Sequence, residues 1–398
     1  MKKLVVLLTF LVLSTLSGNA NDTSLMAVGN QLVPIQETDI SVKKEVLTLR
    51  REGAFISVDV YYEFYNPRDT AKTLLMGFEA SAPYPGAHDE KAASLIFKQQ
   101  PYIKEFTVNV NGEDLKHRIA LIPGEYHVDN LKKGTPKYYK NGKVIHFMPK
   151  DKNAYLEEHF DYLDLSYVYY FEANFQPGVN IIKHTYRYEL SNSAMFEYFF
   201  PYSLTPACRW ANKQIDDFTL IVDMGDRSSF LIPRTFFGSA SEWKIVGAGK
   251  KENVSIEIEE NSHFASFDIR DGYLEFSRKN FRPKGELFVK KVLSFSTAGD
   301  EKETVKYYLE RGYLDFKSVL SFDPEAYNEM NFTPEDVKIM KNLPFAYRGN
   351  IFKTKALQNI YESTDWYIPN PDYVMDLSTL TPEEKKWVMY WSNYKRPE

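Results

Sequence analysis

The chain predicts a mainly β protein: an antiparallel β-sandwich body, one sandwich or two, followed by a small α-helical C-terminal domain. Three observations carry this. From Ile40 to about Ser296, apolar and polar residues alternate in short runs separated by turn residues, the period of half-buried strands. Aromatic residues make up 15% of the sequence, with 28 Tyr and 28 Phe, and they concentrate in those runs, where rings pack well on a pleated surface. Near Ala298 the period changes, and helix-start signals replace turn signals.

The first twenty residues, MKKLVVLLTFLVLSTLSGNA, place Lys2 and Lys3 before an apolar run from Leu4 to Leu13, with Gly18 and Ala20 at the minus-three and minus-one positions. This predicts a secretory signal peptide over residues 1–20. The apolar run is too short for a membrane span, and no cysteine lies near the cleavage site to take a lipid. The mature chain is therefore expected to begin near Asn21, without a membrane span and not as a lipoprotein, in the periplasm or outside the cell. Its roughly 375 residues exceed one ordinary core, so two or three domains are expected. The reading assigns 21–297 to the sandwich region, with a subdivision allowed near 200–215, then 298–330 to a helical connection and 331–398 to the helical domain.

Ala54 to Phe64 is the clearest strand, with Ile56, Val58, Val60, Tyr62 and Phe64 on one parity and Ser57, Asp59 and Glu63 on the other. Phe106, Val108 and Val110 repeat the pattern before Asn111-Gly112, a strong hairpin signal, and Asn141-Gly142 marks a second. Between strands, Gly124 to Asp164 is polar, dotted with tyrosine and weakly periodic, and reads as an excursion from the sheet. Strands resume at Tyr167 to Asn174, turn at Pro177-Gly178 and return through Ile182, His184, Tyr186, Tyr188 and Leu190. Phe218 to Met224 and Val254 to Ile258 follow, then a pair of strands joined at Asp271-Gly272. No amphipathic helices separate them, which argues against a parallel α/β sheet.

In the C-terminal part, Glu303 to Arg311 reads as helix, and Asp323-Pro324 opens a short helical piece. Thr333-Pro334-Glu335-Asp336 starts another helix, with a cap residue, proline at the first position and acids in the first turn. Pro344 is expected to cut that helix. Thr381-Pro382-Glu383-Glu384 repeats the device with a full capping box and carries Trp387, Val388 and Trp391 on one face. Between these two helices lies the most specific stretch of the chain, Leu343 to Pro371. Gly349 fits the left-handed position just past a helix. Phe352, Ala356, Leu357, Ile360 and Tyr361 form one apolar stripe on a short helix, and Pro369 and Pro371 then hold the chain extended.

That stretch resembles the YARHG domain, a small module of exported bacterial proteins. Phe345, Ala346, Gly349 and Phe352 fall in register, followed by KTKALQ and by Trp366, Tyr367 and Pro369, and the likeness covers roughly the last sixty residues. Where the family motif has tyrosine, arginine and histidine, this chain has Phe345, Tyr347 and Arg348, so a role carried by that histidine does not transfer. A second resemblance lies toward the N-terminus. NDTSLMAVGNQLVPIQETDISVKKEVLTL, the alternating strand after it and FQPGVNIIKHTYRYEL look like an exported bacterial domain of unknown function. It implies an envelope location and adds no activity.

Removing Lys2 and Lys3 leaves 47 basic residues (49 minus 2) against 54 acidic ones, a net charge near minus seven. A net acidic chain with no basic block argues against nucleic acid as a partner. The one cysteine, Cys208, cannot form an internal disulfide and reads as a small buried hydrophobe beside Trp210. No nucleophile elbow, P-loop, dinucleotide fingerprint or zinc-helix motif occurs, so no cofactor is implied. The seven histidines never approach ligand spacing, no metal site is assigned, and His184, on the apolar parity of its strand, is expected to be packed and hydrogen-bonded.

Glu157, Glu158, His159, Asp161 and Asp164 form the best candidate carboxylate cluster, inside the irregular excursion. As a catalytic alternative, Glu157, Glu158, Asp161 and Asp164 offer paired carboxylates for glycoside hydrolysis; as a plain alternative they are a solvated acidic loop. Tyr347, Arg348, Trp366 and Tyr367 combine a guanidinium with aromatic rings, which suits a carboxylate-bearing peptide or glycan, although Trp366 and Tyr367 also suit the closing of a small core. Arg348 alone is left without a packing task, and its replacement by alanine is expected to leave thermal stability nearly unchanged. The functional expectation is a secreted or periplasmic, non-catalytic envelope protein that binds peptidoglycan, another glycan or a partner protein. Two alternatives stand beside it: a glycan- or peptidoglycan-directed hydrolase using the acidic segment around Glu157, and a structural sandwich that oligomerises through a strand edge.

Overall fold

The computed structural model describes residues 29–30, 32–35, 38–81, 97, 103–123, 137–159, 165–190, 196–258, 261–292, 305–306, 308–309 and 330–396. The leader over residues 1–20 and the helical piece opened by Asp323-Pro324 lie outside them, as do Asp161 and Asp164.

The body is a mainly β structure of two packed layers. In the larger sheet, of twelve strands, Phe55–Asn66 lies between Ser41–Glu52 and Gly178–Glu189, and Gly178–Glu189 pairs in turn with Ile103–Val110, all antiparallel. Ser41–Glu52 runs parallel to Ile215–Asp223, which joins this half of the sheet to Asn261–Phe281 and the strands beyond it. Antiparallel pairing therefore dominates, with parallel ladders here and at Gly29–Asn30 beside the Phe196–Ser203 strand. The second sheet has four strands, with Leu165–Phe175 between Lys72–Ser81 and Arg118–Pro123.

Alternation explains how the layers meet. Phe78 and Tyr169 of the small sheet pack on Phe106, His184 and Tyr186 of the large one, with Phe78–Tyr186 and Phe106–Tyr169 ring centroids 4.8 and 4.9 Å apart. Offset and edge contacts of this kind add to the area that each ring buries. His184 is fully buried, as its parity predicts, but neither ring nitrogen has a hydrogen-bond partner among the described residues. Burial in this aromatic layer drives its pKa down to about 3, so the ring is neutral.

Both Asn-Gly signals make tight turns. Asn111 and Gly112 have φ of 52° and 93°, and Asn141 and Gly142 have 53° and 79°, the left-handed pair that a two-residue hairpin needs. Pro177-Gly178 behaves differently: the strands on either side of it belong to different sheets, so the chain changes layers there. Asn180 holds this corner, with its amide donating to the carbonyls of Gln176 and Gly178 and its oxygen accepting from Gln176 N–H. Asp271-Gly272 does not turn at all. It sits inside the continuous Asn261–Phe281 strand, where Gly272 faces Gly247 of the neighbouring strand, Trp243–Ile258. Both glycines have positive φ, and a Cβ at Gly272 would come 1.9 Å from the carbonyl oxygen of Val246. The glycine therefore serves a close approach of two backbones instead of a reversal.

Within the segment read as an excursion, residues 137–159 form a small hairpin, Tyr139–Lys140 with Lys143–Val144, and helix α1, Lys152–Glu158, capped by Asp151. The C-terminal part is helical: α2 spans Pro334–Ala346, α3 Lys355–Glu362 and α4 Pro382–Asn393. It has its own apolar cluster, which takes in Val305 and Tyr308 and is separate from the cluster of the body. No helix among the described residues is long and apolar enough to cross a membrane.

Candidate binding site in the C-terminal helical module

The module is small, and several of its large aromatic side chains place their polar ends on backbone carbonyls. Thr381 forms the expected capping box with Glu384, and Thr333, expected only as a cap, forms a complete box with Asp336 as well. Pro344 does not end α2; the helix continues through it to Ala346. A proline has no N–H for the carbonyl four residues earlier. That carbonyl belongs to Met340, and the Trp387 indole of α4 donates to it at 2.5 Å. In the same way Tyr361 O–H reaches the carbonyl of Ile339 at 2.6 Å, Trp366 Nε1 that of Leu309 at 2.6 Å, and Tyr367 O–H that of Asn350 at 2.8 Å.

Gly349 ends the turn after α2 with φ of +78°. A Cβ there would lie 2.3 Å from the carbonyl oxygen of Ile368, because the extended segment before Pro369 packs directly against the turn, and Asn370 N–H donates to Gly349 O at 2.7 Å. The stripe read on α3 is narrower than its spacing suggests: Leu357 and Tyr361 are buried, Ile360 is half-buried and Ala356 is exposed.

The rings chosen from sequence do come together, but inside the module. Tyr347, Trp366 and Tyr367 are no more than 2% exposed, and the Tyr347 and Trp366 rings lie 4.6 Å apart. They offer no open face to a ligand, since a core this small needs large rings to exclude water. Arg348 also turns inward. Its guanidinium holds the Glu384 carboxylate through both oxygens, at 2.9 and 2.7 Å, and donates to the carbonyls of Pro344 at 2.7 Å and Thr379 at 3.0 Å. The expectation that Arg348 lacks a structural task is thereby corrected. The partner was hidden because Glu384 lies thirty-six residues away and reads as an ordinary capping-box acid.

Glu384 also receives Arg227 from the body, at 2.7 Å, with its own side chain only 2% exposed. Burial raises the Glu384 pKa, but the Arg348 hydrogen bonds, the Thr381 backbone N–H and the Arg227 charge outweigh it and leave the carboxyl below its ordinary value. Two further bonds join body and module, from Arg270 to the Pro369 carbonyl at 3.0 Å and from Lys250 to that of Thr364 at 3.3 Å.

Of the acidic cluster, Glu157 and Glu158 lie exposed on α1. No group of three or more His, Cys, Asp or Glu among the described residues is placed to hold a metal ion. Cys208 is half-buried, 3.8 Å from the Pro283 carbonyl oxygen, and burial raises its pKa, the direction opposite to that of an activated thiol.

A groove of about 680 Å³ lies between α2 and the start of α3. Phe352, Leu357 and Ile360 supply apolar lining, while Lys338 and Asn342 from α2 and Lys353 from the turn before α3 supply polar groups. An apolar floor with a few placed polar groups, at this volume, is the usual form of a ligand site. A second depression of about 540 Å³ is lined by Lys306, Asp336 and Asp365 among others and is more polar. Sequence reasoning passed over Lys338 and Asn342. Their signal is a spacing of four on the exposed face of α2, and exposed helix faces look alike until a neighbour makes one of them concave.

Comparison with known proteins gives two family matches. Residues 322–396 match the YARHG domain. Residues 20–198 match a domain of unknown function, DUF4424. No curated protein matches the chain. Among solved structures, a Legionella pneumophila crystal structure titled a "putative nutrient binding protein" is similar at 16% identity, with 94% of this chain and 100% of that chain covered and a TM-score of 0.46.

Proposed function

We propose that the protein is an exported, non-catalytic envelope protein whose YARHG-like module holds a carboxylate-bearing peptide or glycan of the cell surface in the α2/α3 groove. The groove carries this reading: its apolar floor beside the ammonium groups of Lys338 and Lys353 suits a chain that alternates apolar and anionic groups. The leader-like first twenty residues support export. The YARHG match supports an envelope setting, and the separate apolar clusters support a body and a C-terminal module, the module's cluster reaching back to Val305 and Tyr308 in the expected connection. The absence of catalytic motifs in the sequence supports binding over hydrolysis.

The test is retention of the mature chain on purified cell wall and on immobilised envelope extract. Wild type is expected to be retained by one of them, and Lys338→Glu/Lys353→Glu to be lost from it. Equal retention of the two proteins would remove the groove from the reading, and retention of neither would remove the binding function of the module.

A further inference from the structure

We infer that the α2/α3 groove of one molecule receives the segment Asp372 to Leu377 of a second copy of this chain. The segment is the most conspicuous apolar feature of the module surface. Val374 is 79% exposed, Leu377 54% and Met375 44%, within six residues of ordered chain. Single exposed apolar residues are ordinary, but three together on one short segment mark a contact surface. The segment is held in shape from within. Tyr373 N–H donates to the Asn370 carbonyl at 3.1 Å, Tyr373 O–H meets Thr379 Oγ1 at 3.0 Å, and Asp376 caps the following turn through Ser378 N–H at 2.8 Å. Little further conformational freedom is lost when such a segment docks.

Its chemistry is the complement of the groove. Two carboxylates, Asp372 and Asp376, flank the exposed Val374 and Met375, while the groove sets Lys338 and Lys353 around Phe352, Leu357 and Ile360. Glu335 is the one acid among the groove residues, so the lining is net positive. Asp376 keeps acceptor capacity beyond its bonds to Ser378, since a carboxylate accepts at about four positions. The segment is exposed in the folded chain, so it does not fill the groove of its own molecule. Groove and segment are different surfaces, so the contact either is reciprocal, closing a two-fold dimer, or runs head-to-tail into chains or a ring. The inference uses the groove assigned above to a cell-surface ligand, and self-docking would compete with that ligand.

Sedimentation velocity of the mature chain over a wide concentration range tests it. Wild type is expected to associate as concentration rises, to a dimer if the docking is reciprocal and to larger species if it runs head-to-tail. A segment variant, Val374→Glu/Leu377→Glu, and a groove variant, Lys338→Glu/Lys353→Glu, are each expected to stay monomeric. Mixed, they are expected to form a species of two chains and nothing larger, because one intact groove meets one intact segment. Near-UV circular dichroism checks that both variants fold, and Ala356→Arg, at an exposed groove position, replaces the groove pair if it does not. A wild type that stays monomeric, a mixture that stays monomeric, or association that persists in both variants overturns the inference. Cell-wall retention separates the two claims, because the segment variant keeps an open groove and should still bind wall if only self-docking is abolished.

Discussion

Replacing Arg348 by alanine removes four hydrogen bonds at once, two to a carboxylate that is 2% exposed and two to backbone carbonyls. Breaking a buried ion pair by deleting one partner costs about 3–5 kcal/mol, because the other charge is stranded. Glu384 is not wholly stranded, since Arg227 and the Thr381 N–H remain on it. The low end of that range, about 3 kcal/mol, is therefore expected, roughly a 150-fold shift in the folding equilibrium of the module. Urea unfolding followed by tryptophan emission reads it, with amide exchange in α2 and α4 separating module from body, which need not unfold together. Arg348→Lys should recover little, because an ammonium cannot bond both carboxylate oxygens in plane. Arg348→Ala combined with Glu384→Gln should cost less than the sum of the single changes. The pH dependence carries the same signature. Because the Glu384 pKa is lowered on folding, its contribution is present above the ordinary carboxylate range and is lost as pH falls through the lowered value, and Arg348→Ala should diminish that acid loss. A change of less than about 0.5 kcal/mol on Arg348→Ala would refute the reasoning and return Arg348 to the surface as a candidate ligand contact.

His184 gives an acid dependence of a different origin: its pKa is about 3 when folded and near 6.5 when unfolded, so the unfolded chain binds the extra proton and stability falls from about pH 6.5 downward. By pH 5 the difference is about 2 kcal/mol, and His184→Phe should flatten that part of a stability-against-pH curve measured by urea titration; an unchanged curve would show that the ring protonates in place. Gly349→Ala should cost about 2–4 kcal/mol through strain and the collision with Ile368 O, whereas Gly112→Ala, at φ of +93° with open space around it, should cost about 1 kcal/mol; equal midpoints for the two would contradict the packing described for the turn. Trp387→Phe should cost about 1–3 kcal/mol by orphaning the Met340 carbonyl, and adding Pro344→Ala should restore part of that by supplying a backbone N–H; a double variant no more stable than Trp387→Phe would break the link between proline and indole.

Much of the fold was legible wherever a feature depends on neighbours in the chain. The parity of Ile56 to Phe64 gives a buried face whatever lies beyond it, and Asn111-Gly112 and Asn141-Gly142 turn because their backbones tolerate positive φ. Thr333 and Thr381 cap their helices with partners three residues away, and Gly349 is left-handed for local steric reasons. The same local logic misread Pro344 and Asp271-Gly272, because each local preference there has a distant answer. The Trp387 indole satisfies the carbonyl that Pro344 frees, so the helix continues, and Gly272 spends its freedom on contact with the Trp243–Ile258 strand.

The candidate site was less legible than the fold. Sequence picked out Tyr347, Trp366 and Tyr367 as chemically capable residues but not which way their rings face, and packing turned them inward. It recorded Arg348 and Glu384 without pairing them, and nothing local links either to Arg227. The groove exists only because residues of α2 and residues 352–360 are brought side by side. By itself the sequence determined the strand parity, the turns, the helix caps and the likeness of residues 343–371 to a known module, all of which follow from sterics and hydrogen bonding over a few residues. Only the tertiary structure decided what Arg348 is for and where a ligand has room, because ion pairing and concavity depend on groups that the chain brings together across 36 and 157 residues.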